Sequence, residues 1–390
     1  MGTDLADLSP DRRFVQALMV LAFVFSRRYN TRSAKKVSME QCRDRAWVEI
    51  SLGNLQANAR TVQEAAGGSA LLPMIKADAY GLGAVRVGKA LEELEPWGYG
   101  VATPNEAVEL REAGICRPLV VFTPATLDKF EVYKEHDLRA VMDDVALANR
   151  WDCPFHLEID TGMGRCGVRY DDVRLADVSS PYLEGAFTHL FAADDAPDTV
   201  PHQFARFEQA IGSLGVKPEM VHVQNSAGTW RLSQMLDVAR PGVFLYGGRC
   251  GSDLPEPKTV AQVRARVASL RTLPPGESVS YGGEWRAQRE TVVATLGIGY
   301  ADGVRRSVKG KAKVLIKGRR YPVVGRVTMD FVMVDLGPVP TPVRVGDVAT
   351  IIGEDGGDEI TVDEFAGWAG TISYEILTGL GSRLCREYID

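Results

Sequence analysis

The chain has 390 residues, 45% apolar and 25% charged, the make-up of an ordinary soluble globular protein with room for two domains. A net charge of −6 speaks against a nucleic-acid partner, since such domains carry a basic excess. Six scattered cysteines without a C-x-x-C pair suit reduced thiols in a cytoplasm, and five histidines without H-E-x-x-H spacing speak against a metal site.

The first 45 residues stand apart. Phe14 to Phe25 is almost wholly apolar and is flanked by Arg12, Arg13, Arg27, Arg28, Arg32, Lys35 and Lys36. The run is too short for a bilayer, which takes about 20 residues, and no small-residue cleavage site follows it. We read residues 1–45 as a dispensable extension ahead of a start at Met39, in preference to a membrane anchor.

From Ala46 to about Val260, short apolar runs alternate with amphipathic stretches. The runs are Trp47–Ile50, Leu71–Ile75, Tyr99–Ala102, Leu119–Phe122, Leu138–Met142, Phe155–Ile159, Leu183–Thr188, Met220–Val223 and Val243–Tyr246. Continuous apolar runs mark strands covered on both faces, as in parallel sheets. Asn105–Ala113 and Gln203–Leu214 have helical apolar spacing, and Thr103-Pro104-Asn105-Glu106 reads as a helix start with a capping box and proline in the first turn. The alternation predicts βαβ units, and around eight of them over residues 46–260 predict a (β/α)8 TIM-type barrel, a fold of about 250 residues. An open doubly wound sheet is the alternative, but no G-x-G-x-x-G follows the first strand.

From about Ala261 to Asp390, β-rich runs take over: Thr291–Leu296, Ala312–Ile316, Phe331–Val334 and Val348–Ile352. Turns such as Pro274-Pro275-Gly276 and Gly356-Gly357-Asp358 separate them, which predicts a mostly antiparallel β domain over 261–390. The fold class is therefore α/β, a barrel followed by a β domain.

Barrel enzymes place chemistry where strands end and βα loops begin. Lys76 ends the run Leu71–Ile75 and precedes the Gly81-Leu82-Gly83 turn; Arg165 follows Phe155–Ile159; His189 ends Leu183–Thr188. Asn225 and Ser226 follow Met220–Val223, and Arg240-Pro241-Gly242 precedes Val243–Tyr246. Each has a structural explanation alone: a strand-capping lysine, a core histidine, a serine N-cap. Together on one rim they suggest pyridoxal 5'-phosphate, which needs a lysine for its aldehyde, a partner for its ring nitrogen, and amides with a hydroxyl for its phosphate. Lys76, Arg240, and Ser226 with the Gly242 and Val243 amides can fill those places. A lysine desolvated at a strand end has a lowered pKa and gains nucleophilicity. A guanidinium opposite the ring nitrogen keeps its own proton, which weakens the ring as an electron sink and favours simple proton exchange at Cα.

These residues resemble bacterial alanine racemase, a family of the barrel-plus-β-domain type. The resemblance is carried by Lys76-Ala77-Asp78-Ala79-Tyr80-Gly81-Leu82-Gly83, Asp160–Gly167, Thr188-His189, Asn225-Ser226-Ala227, Arg240-Pro241-Gly242 and Val279-Ser280-Tyr281-Gly282. It continues through Gly297–Gly303, Gly325–Asp330 and Thr371–Glu375, so it covers Arg43 to Asp390 in order. It implies a head-to-tail homodimer with shared active sites, alanine as substrate, and D-alanine made for peptidoglycan. Lys76 and Tyr281 of the partner subunit would be the two bases, with His189 relaying between Tyr281 and Arg240. A phenol ordinarily titrates at about 10, so it needs such help. Tyr374 and Tyr80 would contact the cofactor, Arg165 would orient the substrate carboxylate and the cofactor's phenolic oxygen, and Met329 of the partner subunit would bind the carboxylate through its amide. Tyr300 would stand at the entrance and, with Tyr374, narrow the pocket toward a methyl side chain.

Two positions depart from the family pattern. Glu158 stands where many members carry a carbamylated lysine, and we expect it to hold Arg165 by a charge-assisted hydrogen bond. Thr328 replaces a common cysteine. The rival readings are a serine or broad-specificity racemase, a decarboxylase of the same architecture, and a cofactor carrier. Decarboxylases normally pair the ring nitrogen with an acid, where this chain offers Arg240, and a carrier has no use for Tyr281 and Met329.

Overall fold

Strand β1 (Ala46–Ser51), expected to open the barrel, pairs instead with strands far along the chain. The computed structural model describes Arg43–Asp390 apart from Ser233 and Met235, so the expected extension lies outside the described residues up to position 42. Arg45–Asp390 form one unit.

The barrel is built from β2 (Ala70–Leu71), β3 (Tyr99–Val101), β4 (Leu119–Pro124), β5 (Leu138–Met142) and β6 (Phe155–Asp160), with the short β7 (Val168–Arg169) beside β6. It continues through β8 (Leu183–Phe187), β9 (Met220–His222) and β10 (Val238–Ala239). β3, β4, β5, β6, β8 and β9 form a parallel sheet in that order, and β10 pairs with β2. Parallel bridges Met74–Gly100 and Asn225–Arg240 join the two pieces, so eight strands close a ring.

Two predicted runs take a different form at the ring's closure. Pro73 interrupts Leu71–Ile75, yet the Leu72, Met74 and Ile75 amides still donate to Ala239, Pro241 and Gly100. Val243–Tyr246, expected as a strand, is a 3-10 helix with all four side chains buried, and Val238–Ala239 is the strand. A short buried apolar run has no periodicity by which the two can be told apart. The helix Pro104–Glu112 has the expected capping box: Thr103 Oγ1 accepts from the Glu106 amide at 3.4 Å, and Glu106 Oε2 accepts from the Thr103 amide at 3.1 Å. One core cluster (Leu72, Val120, Val141, Phe187 and Val238) draws on five different strands or their ends and fills the barrel interior.

The second sheet contains β11 (Ala261–Leu273), β14 (Thr291–Leu296), β15 (Lys313–Ile316), β16 (Arg319–Val324), β17 (Val332–Gly337), β18 (Val348–Asp355), β19 (Asp358–Ile360) and β20 (Cys385–Ile389). Its pairings are antiparallel except between β1 and β20, and β11 pairs with both β14 and β18, so six strands close on themselves. β1 lies between β11 and β20. Its unbroken apolar pattern reflects burial on both faces, which parallel barrel strands share. A small hairpin, β12 (Ser278–Val279) with β13 (Trp285–Arg286), carries Tyr281 at its tip.

Candidate active site

At the carboxyl rim of the barrel lies a cavity of about 660 Å³. Lys76, Tyr80, Arg165, His189, Asn225, Ser226, Arg240, Gly242, Val243 and Tyr374 all line it, which brings together ten residues singled out from the sequence. Tyr281, Met329 and Tyr300 are not among its walls; they are exposed on the β region.

Lys76 opens a tight turn, Lys76–Gly81, in which Ala77, Asp78, Ala79 and Tyr80 all have left-handed φ of 52° to 56°. Such a conformation costs about 1–2 kcal/mol for each non-glycine residue, so surrounding bonds must hold it. Glu106 Oε1 accepts from the Ala77 amide at 2.8 Å, and Asp78 Oδ1 accepts from the Ala84 amide at 2.7 Å. The Tyr80 ring stacks on Tyr246 at 4.5 Å, and Tyr246 Oη donates to the Met74 carbonyl at 2.8 Å. Glu106, the third residue of one barrel helix and half of its capping box, thus positions the loop of another strand. Burial, reinforced by the Arg165 and Arg240 cations and opposed by Glu106, lowers the Lys76 pKa. A larger share of the amine is therefore neutral and nucleophilic.

Arg165 sits in the loop after β6, where Asp160 Oδ1 accepts from the Gly162 and Gly164 amides at 2.9 and 3.1 Å. The Glu158 carboxylate is buried, with Oε1 3.9 Å from Arg165 Nη2. That is an ion-pair separation, too long for the expected direct hydrogen bond. Burial raises the Glu158 pKa, and Arg165 and Arg240 pull it back down.

His189 lies just past β8, where burial, then Arg240, Arg165 and Lys76, lower its pKa to about 3. Its ring is neutral at physiological pH. The expected pairing of His189 with Arg240 is not among the hydrogen bonds of the described residues. Arg240 instead donates from Nη1 to His222 Nδ1 at 2.8 Å and the His222 carbonyl at 2.6 Å, and from Nη2 to the Thr188 carbonyl at 2.8 Å. Burial lowers the Arg240 pKa to about 9, which leaves the guanidinium charged at neutral pH.

Between β9 and the 3-10 helix, the Gly242 amide donates to the buried Ser226 Oγ at 2.8 Å. A Cβ on Gly242 would come within 2.5 Å of Tyr80 Oη, so only glycine leaves this corner open. A hydroxyl, successive amides and two phenols (Tyr80 and Tyr374, ring centroids 5.9 Å apart) thus surround space suited to an anionic group.

Sequence reasoning missed the polar residues beneath this rim: His156, His222 and Glu184. A signal was present in Phe155-His156-Leu157-Glu158-Ile159, where two titratable residues interrupt a run too apolar to face water. Asp302 was also missed. It is fully buried and accepts from Arg45 Nη1 and Nη2 at 3.0 and 2.5 Å, and from Arg383 Nε and Nη2, both at 3.0 Å. Arg45, assigned to the extension, is thus part of the fold.

A parallel barrel whose rim gathers a desolvated lysine and an anion cradle, followed by a β domain, defines a class of α/β-barrel enzyme. The comparisons agree. The model of the alanine racemase N-terminal domain matches residues 50–250, and that of the C-terminal domain matches 260–388. An alanine racemase of Deinococcus radiodurans is 40% identical over 360 residues, covering 88% of this chain and 99% of the relative. The crystal structure of alanine racemase from E. faecalis superposes with a TM-score of 0.80 at 32% identity, covering 88% of this chain and 98% of that one. That of the Bartonella henselae alanine racemase, described with covalently bound pyridoxal phosphate, gives 0.81 at 26% identity over 88% of this chain and 99% of that one. The chain belongs to the alanine racemase family, enzymes of the isomerase class.

Proposed function

We propose that the chain racemises L-alanine to D-alanine with pyridoxal 5'-phosphate, using Lys76 and Tyr281 of the partner subunit as opposed bases. The observation that carries this reading is Lys76: an amine with lowered pKa, lining one cavity together with the Ser226 hydroxyl, the Gly242–Val243 backbone and the buried Arg240 guanidinium. The family membership and the covalently bound cofactor named for the Bartonella henselae structure support it.

The cofactor supplies an aldehyde that captures an amine and a ring that takes up electron density from Cα. The Ser226 hydroxyl, the Gly242 and Val243 amides and Tyr374 would hold its phosphate, and Tyr80 and Asn225 would line its seat. Arg240 would be the partner of the ring nitrogen and would keep its own proton. Arg165 orients the substrate carboxylate, and Met329 of the partner subunit adds an amide to it. Lys76 Nζ exchanges the Cα proton on one face, and the Tyr281 phenol does so on the other, with neutral His189 beside the site.

A homodimer follows from this reading, and a surface supports it. Tyr281 is 68% exposed, Met329 52%, Tyr300 44% and Phe331 42%. They share one patch. Ser280 Oγ donates to the Arg326 carbonyl at 2.7 Å, and the Tyr300 and Ala301 amides donate to the Thr328 and Met329 carbonyls at 3.0 and 3.1 Å. Exposed apolar side chains gathered on one face mark an association surface. The reading places the enzyme in the cytoplasm, supplying D-alanine for peptidoglycan; among the described residues no helix is long and apolar enough to cross a membrane.

The test is chiral analysis after incubating cofactor-loaded protein with single L-amino acids in deuterated water. D-alanine carrying deuterium at Cα, with little product from other amino acids, is the expected result. Racemisation of a broad panel would remove the assignment to alanine, and absence of any exchange would remove the racemase reading.

A further inference from the structure

Below the rim, Arg240 is one end of a polar thread that runs through the barrel interior. Arg240 Nη1 meets His222 Nδ1 at 2.8 Å, His222 Nε2 meets His156 Nδ1 at 2.7 Å, and His156 Nε2 meets Glu184 Oε2 at 3.2 Å. Arg139 Nε reaches the same carboxylate oxygen at 3.3 Å. Arg240, His222 and His156 are 3%, 0% and 1% exposed, and the Glu184 side chain is 17% exposed.

The direction of hydrogen bonding is forced. A guanidinium has donors only, so His222 Nδ1 accepts and His222 carries its proton on Nε2. That proton goes to His156 Nδ1, so His156 also protonates on Nε2 and donates to the carboxylate. The fold makes room for this arrangement. The Phe187 ring stacks on His222 at 4.9 Å, with Arg240 Cζ 5.2 Å from the same ring. At Gly185 a Cβ would stand 2.4 Å from His156 Nδ1, so a glycine is required beside the thread.

We propose that Glu184 is a positioning residue for Arg240: its carboxylate accepts the last proton of the thread, reinforces from the far end the direction that the Arg240 donors set along His222 and His156, and so steadies the guanidinium at the cavity floor. The role at the cofactor ring rests on the reading of Arg240 given above; the thread itself does not. Without the carboxylate, the buried His156 Nε2–H loses its acceptor, so the direction favoured by Arg240 carries an unsatisfied donor at its other end. Where the rings reverse to relieve it, His222 Nδ1–H faces an Arg240 N–H, and the guanidinium keeps only its bonds to backbone carbonyls. A displaced Arg240 alters what the ring nitrogen feels, and the Cα proton is less cleanly returned.

The experiment has two arms on the full chain. In the first, cofactor-free protein labelled with ¹⁵N-histidine is examined by NMR at neutral pH, with the five histidines assigned from single substitutions. The expected result is the Nε2–H form at both His156 and His222, retained in Glu184→Gln, whose amide oxygen still accepts, and partly exchanged for the Nδ1–H form in Glu184→Leu. An Nδ1–H or doubly protonated ring at either residue in the unsubstituted protein overturns the proposal. In the second arm, the variants are loaded with pyridoxal phosphate, and its absorption band and the alanine kinetics are recorded. Glu184→Leu is expected to shift the band and lower kcat about tenfold with little change in KM, and Glu184→Gln to restore most of both. If Glu184→Leu does not fold, Glu184→Ala, which removes the acceptor without adding a branched side chain, must produce the same band shift. An unchanged band and kcat in folded variants overturns the proposal. Intact Nε2–H forms in a protein that racemises nothing would instead count against the racemase reading alone.

Discussion

Glu158 shows how one side chain can be placed by charge without a direct bond. Its carboxylate is buried and stands 3.9 Å from Arg165, whose side chain is about half exposed. A partly solvated partner weakens the pair, so the gain is on the order of 1 kcal/mol. Glu158→Gln removes the charge and keeps the shape, and we expect KM for alanine to rise about fivefold with kcat little changed. Steady-state kinetics decide it; unchanged KM and kcat would mean that Arg165 is oriented by its Asp160-centred loop alone. Lys76, Arg165, His189, Ser226 and Arg240 were legible in the sequence because each follows or adjoins an apolar run. Their partners were not legible. Nothing local in Leu183-Glu184-Gly185 or Val221-His222 says that these residues meet across the barrel.

At the scale of elements, the turn after β2 carries the most backbone strain around the cavity. Gly81 and Gly83 announced a turn, but Ala77, Asp78, Ala79 and Tyr80 have no intrinsic preference for positive φ. The conformation is imposed by Glu106, by the Tyr246 stack and by the need to bring Lys76 and Tyr80 to one cavity. Ala77 is exposed, so substitutions there test the backbone with little change in packing. Ala77→Gly is expected to stabilise the cofactor-free protein by up to about 1 kcal/mol, because relief of left-handed strain exceeds glycine's greater entropy when unfolded. Ala77→Val should destabilise it by about as much, since a β-branched side chain fits this region least. Urea midpoints in the order Gly, Ala, Val bear this out, and the reverse order would mean that the turn is not strained.

For the whole molecule, the barrel interior governs acid sensitivity. His156, His189 and His222 are held neutral below their ordinary pKa of 6.5, chiefly by burial, His189 at about 3. Unfolding lets each take up a proton below about pH 6.5. The unfolded state then binds more protons than the folded one, so stability is full above that pH and falls as the solution is acidified. Each histidine contributes up to about 1.4 kcal/mol per pH unit. Glu158, with its raised pKa, works in the opposite sense and only partly offsets them. The urea midpoint is expected to drop clearly between pH 7.5 and 5.5, and an unchanged midpoint would show that the interior tolerates charge.

By itself the sequence determined the strand–helix alternation, the change to β texture near residue 261, and the residues at strand ends, because burial and turn chemistry leave local patterns. It also held the ordered motifs of the family from Lys76 to Tyr374. Only the tertiary structure decided that Ala46–Ser51 joins the later sheet, that Val243–Tyr246 coils, and that Arg240 is paired with His222 rather than His189. A buried run looks the same to its own neighbours in sequence whatever covers it. Hydrogen bonds between residues such as His156 and His222 exist only once the ring of strands has closed and excluded the water that would otherwise satisfy them.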